Sequence, residues 1–169
     1  GLNPVLAANT QYMQRSSVGL VVNLVGLKEA VFNILGYSDD KEGRDIIYKV
    51  LQTAVDVAEK KGKEMGDSVI VTMTESDGIA RFSSLDGDKY GKMSVLKSLD
   101  TEFYSQGVLV LASELDSLSA KSDKIADANK TAKILNGGLL VQLRFERDSK
   151  VEEIKKAIEK IGDLVGSFR

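Results

Sequence analysis

Short apolar runs rich in Val, Ile and Leu alternate along this chain with stretches of helical periodicity, and that alternation restricts its fold more than any other feature. The first run is residues 18–25, VGLVVNLV. A continuous β-branched stretch of this kind predicts a strand buried on both faces of a parallel sheet. It leads into a short helix over 27–35, which Gly36 ends. Asn23 stands among Val21, Val22, Leu24 and Val25, and burying an amide without partners costs about 1–3 kcal/mol. Asn23 therefore marks a binding site, or satisfies the backbone of a nearby turn, or shows that the run is not buried.

Asp39 with Glu42 reads as a capping box. Ile46, Ile47, Val50, Leu51, Ala54, Val57 and Ala58 then predict an amphipathic helix reaching about Glu64. Residues 68–74, SVIVTMT, read as a second strand, and GVLVLA near 107–112 as a third. Between them, 76–92 reads as a loop, because Asp-Gly pairs at 77–78 and 86–87 favour turns. A helix over 117–135 places Ile125, Ala128, Ala132 and Leu135 on one face, and Asn136-Gly137-Gly138 stops it. In the strand 139–146, Leu139, Val141, Leu143 and Phe145 alternate with Gln142, Arg144 and Glu146. Ser149 with Glu152 reads as a second capping box, opening a final helix that buries Val151, Ile154, Ala157, Ile158, Ile161 and Val165. The order predicts one α/β domain over 1–169, with largely parallel strands in layers with amphipathic helices.

Composition narrows the chemistry. The chain has no Cys and no His, so thiolate nucleophiles, cysteine zinc sites and imidazole bases are all absent. No metal site or cofactor is indicated in this chain. A net charge of -2 gives no electrostatic case for nucleic acid, and no apolar stretch is long enough to span a membrane. The N-terminus lacks a signal-peptide pattern, and a cytoplasmic location is expected.

Few local motifs rise above ordinary structure. GDKYGK at 87–92 is one residue short of P-loop spacing and follows no strand, so a turn is the better reading. Ser94 and Lys97 match S-x-x-K, a pattern too common to carry an acyl-transfer claim. Glu75 and Asp77 follow a strand, where α/β proteins place sites, as do Glu114 and Asp116. Acidic residues there also cap turns. Lys60, Lys61 and Lys63 read as a solvated helix end.

Three stretches, in order, resemble the anaerobic (class III) ribonucleoside-triphosphate reductases. VVNLVGLKEAV at 21–31 is similar to that family's strand-then-helix segment, and IARFSSLDGDKYGK at 79–92 to its R-F-A-x-L-D segment ending in a Tyr/Phe-Gly pair. NGGLLVQLRFE at 136–146 resembles a Gly-Gly-hydrophobic strand late in the barrel. The resemblance implies part of an α/β barrel of two half-barrels, after the finger loop that carries the radical cysteine. It also implies that Asn23 matches the strand asparagine contacting the substrate ribose.

The departures from the family are chemical. No cysteine can carry a thiyl radical or bind zinc, the sequence stops at GDLVGSFR before any R-V-x-G-Y glycyl-radical motif, and 93–107 lacks a His-containing segment. The expectation is a half-barrel-like domain, a fragment or a diverged relative, that is inactive alone. It is expected to bind a ribonucleoside triphosphate and to self-associate or join the remainder of a larger reductase. The alternative is a non-enzymatic α/β binding or assembly module. An independent enzyme built on Glu75, Asp77 or Glu114 lacks a visible nucleophile–base constellation.

Overall fold

The structure is a computed structural model that describes residues 19–36, 40–91, 104–111 and 118–165, the side chains of 118–123 and 160–165 excepted. It is mixed α/β, with parallel strands and no closed barrel among the described residues. In chain order the elements are β1 (Leu20–Asn23), α1 (Leu27–Leu35), α2 (Lys41–Met65), β2 (Val69–Met73) and α3 (Ile79–Tyr90). There follow β3 (Val108–Leu111), α4 (Leu118–Ile134), β4 (Gly138–Leu139), β5 (Val141–Arg144) and α5 (Val151–Val165).

Two small sheets, β1-β2-β4 and β3-β5, share one stretch of chain. Residues 138–144 run alongside β2 first and β3 afterwards. Leu140 is the joint: its N–H donates to Met73 O at 2.7 Å, and its carbonyl accepts from Val108 N at 2.9 Å. The strands are strongly staggered, since Met73 pairs with Leu139 while Val108 pairs with Val141. Stagger of this sort is the geometry that lets a parallel sheet curl toward a barrel.

Gly107 makes the joint possible. Its φ is +60°, and a Cβ there would lie 2.1 Å from Leu140 O. Gly137 is equally confined, because a Cβ would fall 2.5 Å from Thr72 Cγ2. Asn136 contributes its side chain as an extra rung, accepting Val71 N–H on Oδ1 at 2.7 Å. The Asn-Gly-Gly sequence thus stops α4 and also docks the next strand against β2.

The core forms two apolar clusters. One joins Val31 of α1, Ile47, Leu51, Val55 and Ala58 of α2, Val71 and Met73 of β2, and Leu135. The other joins Val108 and Val110 of β3 with Ile125 and Ala128 of α4 and Ala157 of α5. Leu139 packs against both. Because strand residues alternate in direction, Val22, Val71, Val110 and Leu143 point toward these helices. Val21, Asn23, Ile70, Thr72, Gln142 and Arg144 point to the opposite face.

Several expectations change. β1 is not buried on both faces: Leu20 is 49% exposed, Val21 60% and Val22 43%. Among the described residues it pairs with β2 alone and stands at the edge of its sheet. The loop expected over 76–92 is instead α3, with only Asp77 and Gly78 in the turn before it. The second Asp-Gly pair sits inside that helix, where Gly87 O accepts from Gly91 N. Each of these two helix starts keeps one half of a capping box, one residue further along than expected. Asp40 caps α2, accepting Gly43 N–H at 2.8 Å, and Glu153 reaches back to Lys150 N at 3.0 Å. Asp39 lies outside the described residues.

The apolar stripe of α2 is wider than the core it meets. Ile47, Leu51, Val55 and Ala58 are buried, whereas Val50 and Val57 are exposed. On α4 the buried position is Thr131 rather than Ala132. On α5 Ala157 is buried and Ile154 half-buried, but Val151 and Ile158 are exposed. Ile161 and Val165 fall among the side chains outside the description.

Candidate functional site

The carboxyl ends of β1 and β2 lie side by side, and polar side chains gather there. In an open parallel sheet this is the position where ligands bind, because the turns leaving the strands diverge and expose backbone amides. Asn23 ends β1 opposite Thr72. Its Oδ1 accepts from Thr74 N at 2.8 Å and from Thr72 Oγ1 at 3.1 Å, while Nδ2 donates to Thr74 O at 2.9 Å. Both acceptor positions of the amide oxygen are used, and one Nδ2 hydrogen remains. The amide thus satisfies the backbone where β2 leaves the sheet, and it does so half-buried on the face opposite the helices.

Glu29, in the first turn of α1, is 8% exposed. Its carboxylate accepts Ser105 N–H at 3.1 Å and Ser105 Oγ–H at 2.7 Å. Gly26 returns a bond from its N–H to Ser105 O at 2.9 Å. Tyr104 lies against Gly26 and donates its hydroxyl to Asp86 of α3 at 2.7 Å. Gln106 accepts Ser76 N–H at 2.8 Å on its side chain. Burial, the hydrogen bond to Asp86 and the negative charges of Asp86 and Glu29 push the Tyr104 phenol up to about 12.

Glu75 and Asp77 are on the connection from β2 to α3, and both are exposed. Glu114 lies outside the described residues, as do Asp116, Ser94 and Lys97. Among the described residues, no cluster of three or more acidic, His or Cys side chains could hold a metal ion. Of GDKYGK, Gly87–Tyr90 form the last turn of α3, Gly91 caps it and Lys92 lies outside the described residues; a helix C-terminus presents carbonyls rather than amides to an anion. Lys60, Lys61 and Lys63 are solvated as expected, with Lys61 paired to Glu64 at 2.6 Å.

Sequence reasoning did not single out Glu29, Asp86 or the residues 104–106. The available signal was Glu29 itself, an acidic residue one helical turn beyond a strand that ends in a polar residue. Its partner Ser105 is 76 positions away, a separation that no local pattern reveals.

A second polar group lies between α2 and α4. Tyr48 donates its hydroxyl to Asp127, and Lys130 Nζ sits 3.8 Å from the centre of the Tyr48 ring. Lys130 also approaches Asp45 at 3.9 Å. Burial and the Asp127 carboxylate raise the Tyr48 phenol well above its ordinary value. This group ties two helices together at their polar margin.

The exposed side chains of β1 and α2 make an apolar groove of about 750 Å³, lined by Leu20, Val22, Val50, Val57, Met65 and Val69 among others. Lys49 and Lys61 stand at its rim. No helix among the described residues is long and apolar enough to cross a membrane. No protein-family model matches the chain, and no curated protein matches it.

Proposed function

We propose that the chain is a segment of the catalytic barrel of an anaerobic ribonucleoside-triphosphate reductase, or a diverged relative of one, that holds a ribonucleotide at the carboxyl ends of β1 and β2. The observation that carries this reading is a staggered parallel sheet with its two apolar clusters on one face. Parallel sheets in closed domains are covered on both sides, whereas a barrel wall carries helices outside and side chains inside. On such a wall Asn23, Thr72, Gln142 and Arg144 face the interior. The stretches that resemble the reductases supply most of β1, the first half of α1, all of α3 and β4–β5 of this wall.

The chemistry divides between what these residues can hold and what they cannot perform. Reduction at the ribose needs a weak S–H bond, and the sequence has no cysteine. Binding needs only donors and acceptors at the strand ends, and the remaining Nδ2 hydrogen of Asn23 offers a ribose hydroxyl one donor. Titration calorimetry with ATP, GTP, CTP and UTP tests the reading. Binding that weakens in Asn23→Ala, with folding retained, supports it. Absence of binding to all four by the wild-type chain overturns it.

The groove along β1 and α2 favours a second reading, an assembly module that associates through this face. At the edge of the sheet among the described residues, β1 is exposed at Leu20, Val21 and Val22 and carries no charge or proline to block pairing with another strand. Light scattering distinguishes the cases, since the assembly reading expects a concentration-dependent oligomer and is overturned by a sharp monomer.

A further inference from the structure

We infer that residues 104–106 form a strap that occupies the crest of the sheet from within the chain, so that a ligand there binds only when the strap lifts. This rests on the reading of that crest as a ribonucleotide site. Three consecutive residues are fastened to three separate places: Tyr104 to Asp86 on α3, Ser105 to Gly26 and Glu29 at the β1–α1 turn, and Gln106 to Ser76 beyond β2. The backbone amides of Gly26 and Ser76 are donors at the turns where an open parallel sheet receives its ligand, and both are spent on the strap.

The fastening is of a kind that can be released. Apart from the contact of Tyr104 with Gly26, the bonds described are polar, and water can replace each of them when the strap leaves. None of the three residues belongs to either apolar cluster. The next residue, Gly107, has a φ of +60° and is anchored through Val108 to Leu140, giving the strap a fixed pivot at the start of β3. Glu29 holds the middle of the strap through two bonds, and loss of Ser105 Oγ removes the shorter of them.

If the competent state is the lifted one, apparent affinity is reduced by the fraction of molecules in which the strap is up. The variants are Ser105→Ala and, separately, Tyr104→Phe, with amide hydrogen exchange read first. Exchange at Gly26 and Ser76 rises together in both variants, while Val71, held inside the sheet by Asn136, keeps its protection. Unchanged protection at Gly26 and Ser76 overturns the strap, and loss at Val71 would reveal general unfolding in that variant, leaving the other to decide. Calorimetry with ATP on the opened variant then shows binding about tenfold tighter than wild type. Equal affinity in wild type and opened variant overturns the inhibitory role while the ribonucleotide reading stands. If ATP binds to neither, the same pair is titrated with GTP, CTP and UTP, and no binding of any of the four by either overturns that reading and the inhibitory role with it, whatever the exchange shows.

Discussion

Asn23 grips Thr74 from both sides of one peptide residue, accepting its N–H at 2.8 Å and donating to its carbonyl at 2.9 Å. The two residues are 51 positions apart, and the pair fixes the point where β2 leaves the sheet relative to the end of β1. Removing the amide leaves a half-buried N–H and C=O to find water. Asn23→Ala is expected to lower stability by about 1–3 kcal/mol. Asn23→Asp keeps the acceptor but turns the donor into a charge beside Thr74 O, so it should cost at least as much near neutral pH. Urea unfolding of the two variants checks the order.

Gly107 and Gly66 both have positive φ, +60° and +71°, but their surroundings differ. At Gly66 a Cβ would meet nothing within 4 Å, so Gly66→Ala carries the conformational penalty alone, about 1–2 kcal/mol. At Gly107 the same Cβ would sit 2.1 Å from Leu140 O, so the backbone joint between the sheets must move as well. Gly107→Ala is expected to cost clearly more than Gly66→Ala, and thermal melts of the pair measure the difference.

Tyr104 sets an alkaline limit. Its phenol ordinarily ionises at 10.0 and is pushed up to about 12 in the folded chain, so the folded state retains a proton that the unfolded state releases. The contribution is therefore complete below pH 10.0 and is lost as pH rises through about 12. Wild type should lose stability over that window more steeply than Tyr104→Phe. Tyr48 shifts in the same direction, so the double Phe variant should have the flattest profile. Denaturant midpoints measured across the window, compared as differences from wild type, isolate the contribution of each tyrosine.

Val57 is 53% exposed on the groove side of α2. Replacing it with Lys removes no core contact, so stability should stay within about 0.5 kcal/mol of wild type. If the chain associates through the groove, Val57→Lys should shift the oligomer toward monomer in sedimentation velocity. A matched change at Ile34, exposed on α1 and away from the groove lining, should not.

The sequence made most of the order of elements legible, because strands and helices differ in hydrophobic period, but it missed α3 and joined β4 and β5 into one strand. Gly36, closing α1 with its N–H to Phe32 O, was readable from residue type alone. Alternation in 139–146 correctly put Leu139, Val141, Leu143 and Phe145 against a core. The failures have a common source in position within the sheet. Nothing in VVNLV distinguishes an edge strand from a central one, so the exposure of Val21 was hidden. Similarly, Asp86-Gly87 was read by turn propensity, although α3 carries the pair through without a break. The polar crest was the least visible part, because Glu29 and Ser105 meet only after three strands have assembled.

Leu140 has a consequence for how the chain unfolds. Val108–Leu111 has no partner strand among the described residues except β5, and β5 continues directly from the segment docked on β2. The second sheet is therefore tied to the first through residues 138–140, and Leu139 packs into both apolar clusters at that joint. The two halves should accordingly unfold in one cooperative transition rather than in two separate ones.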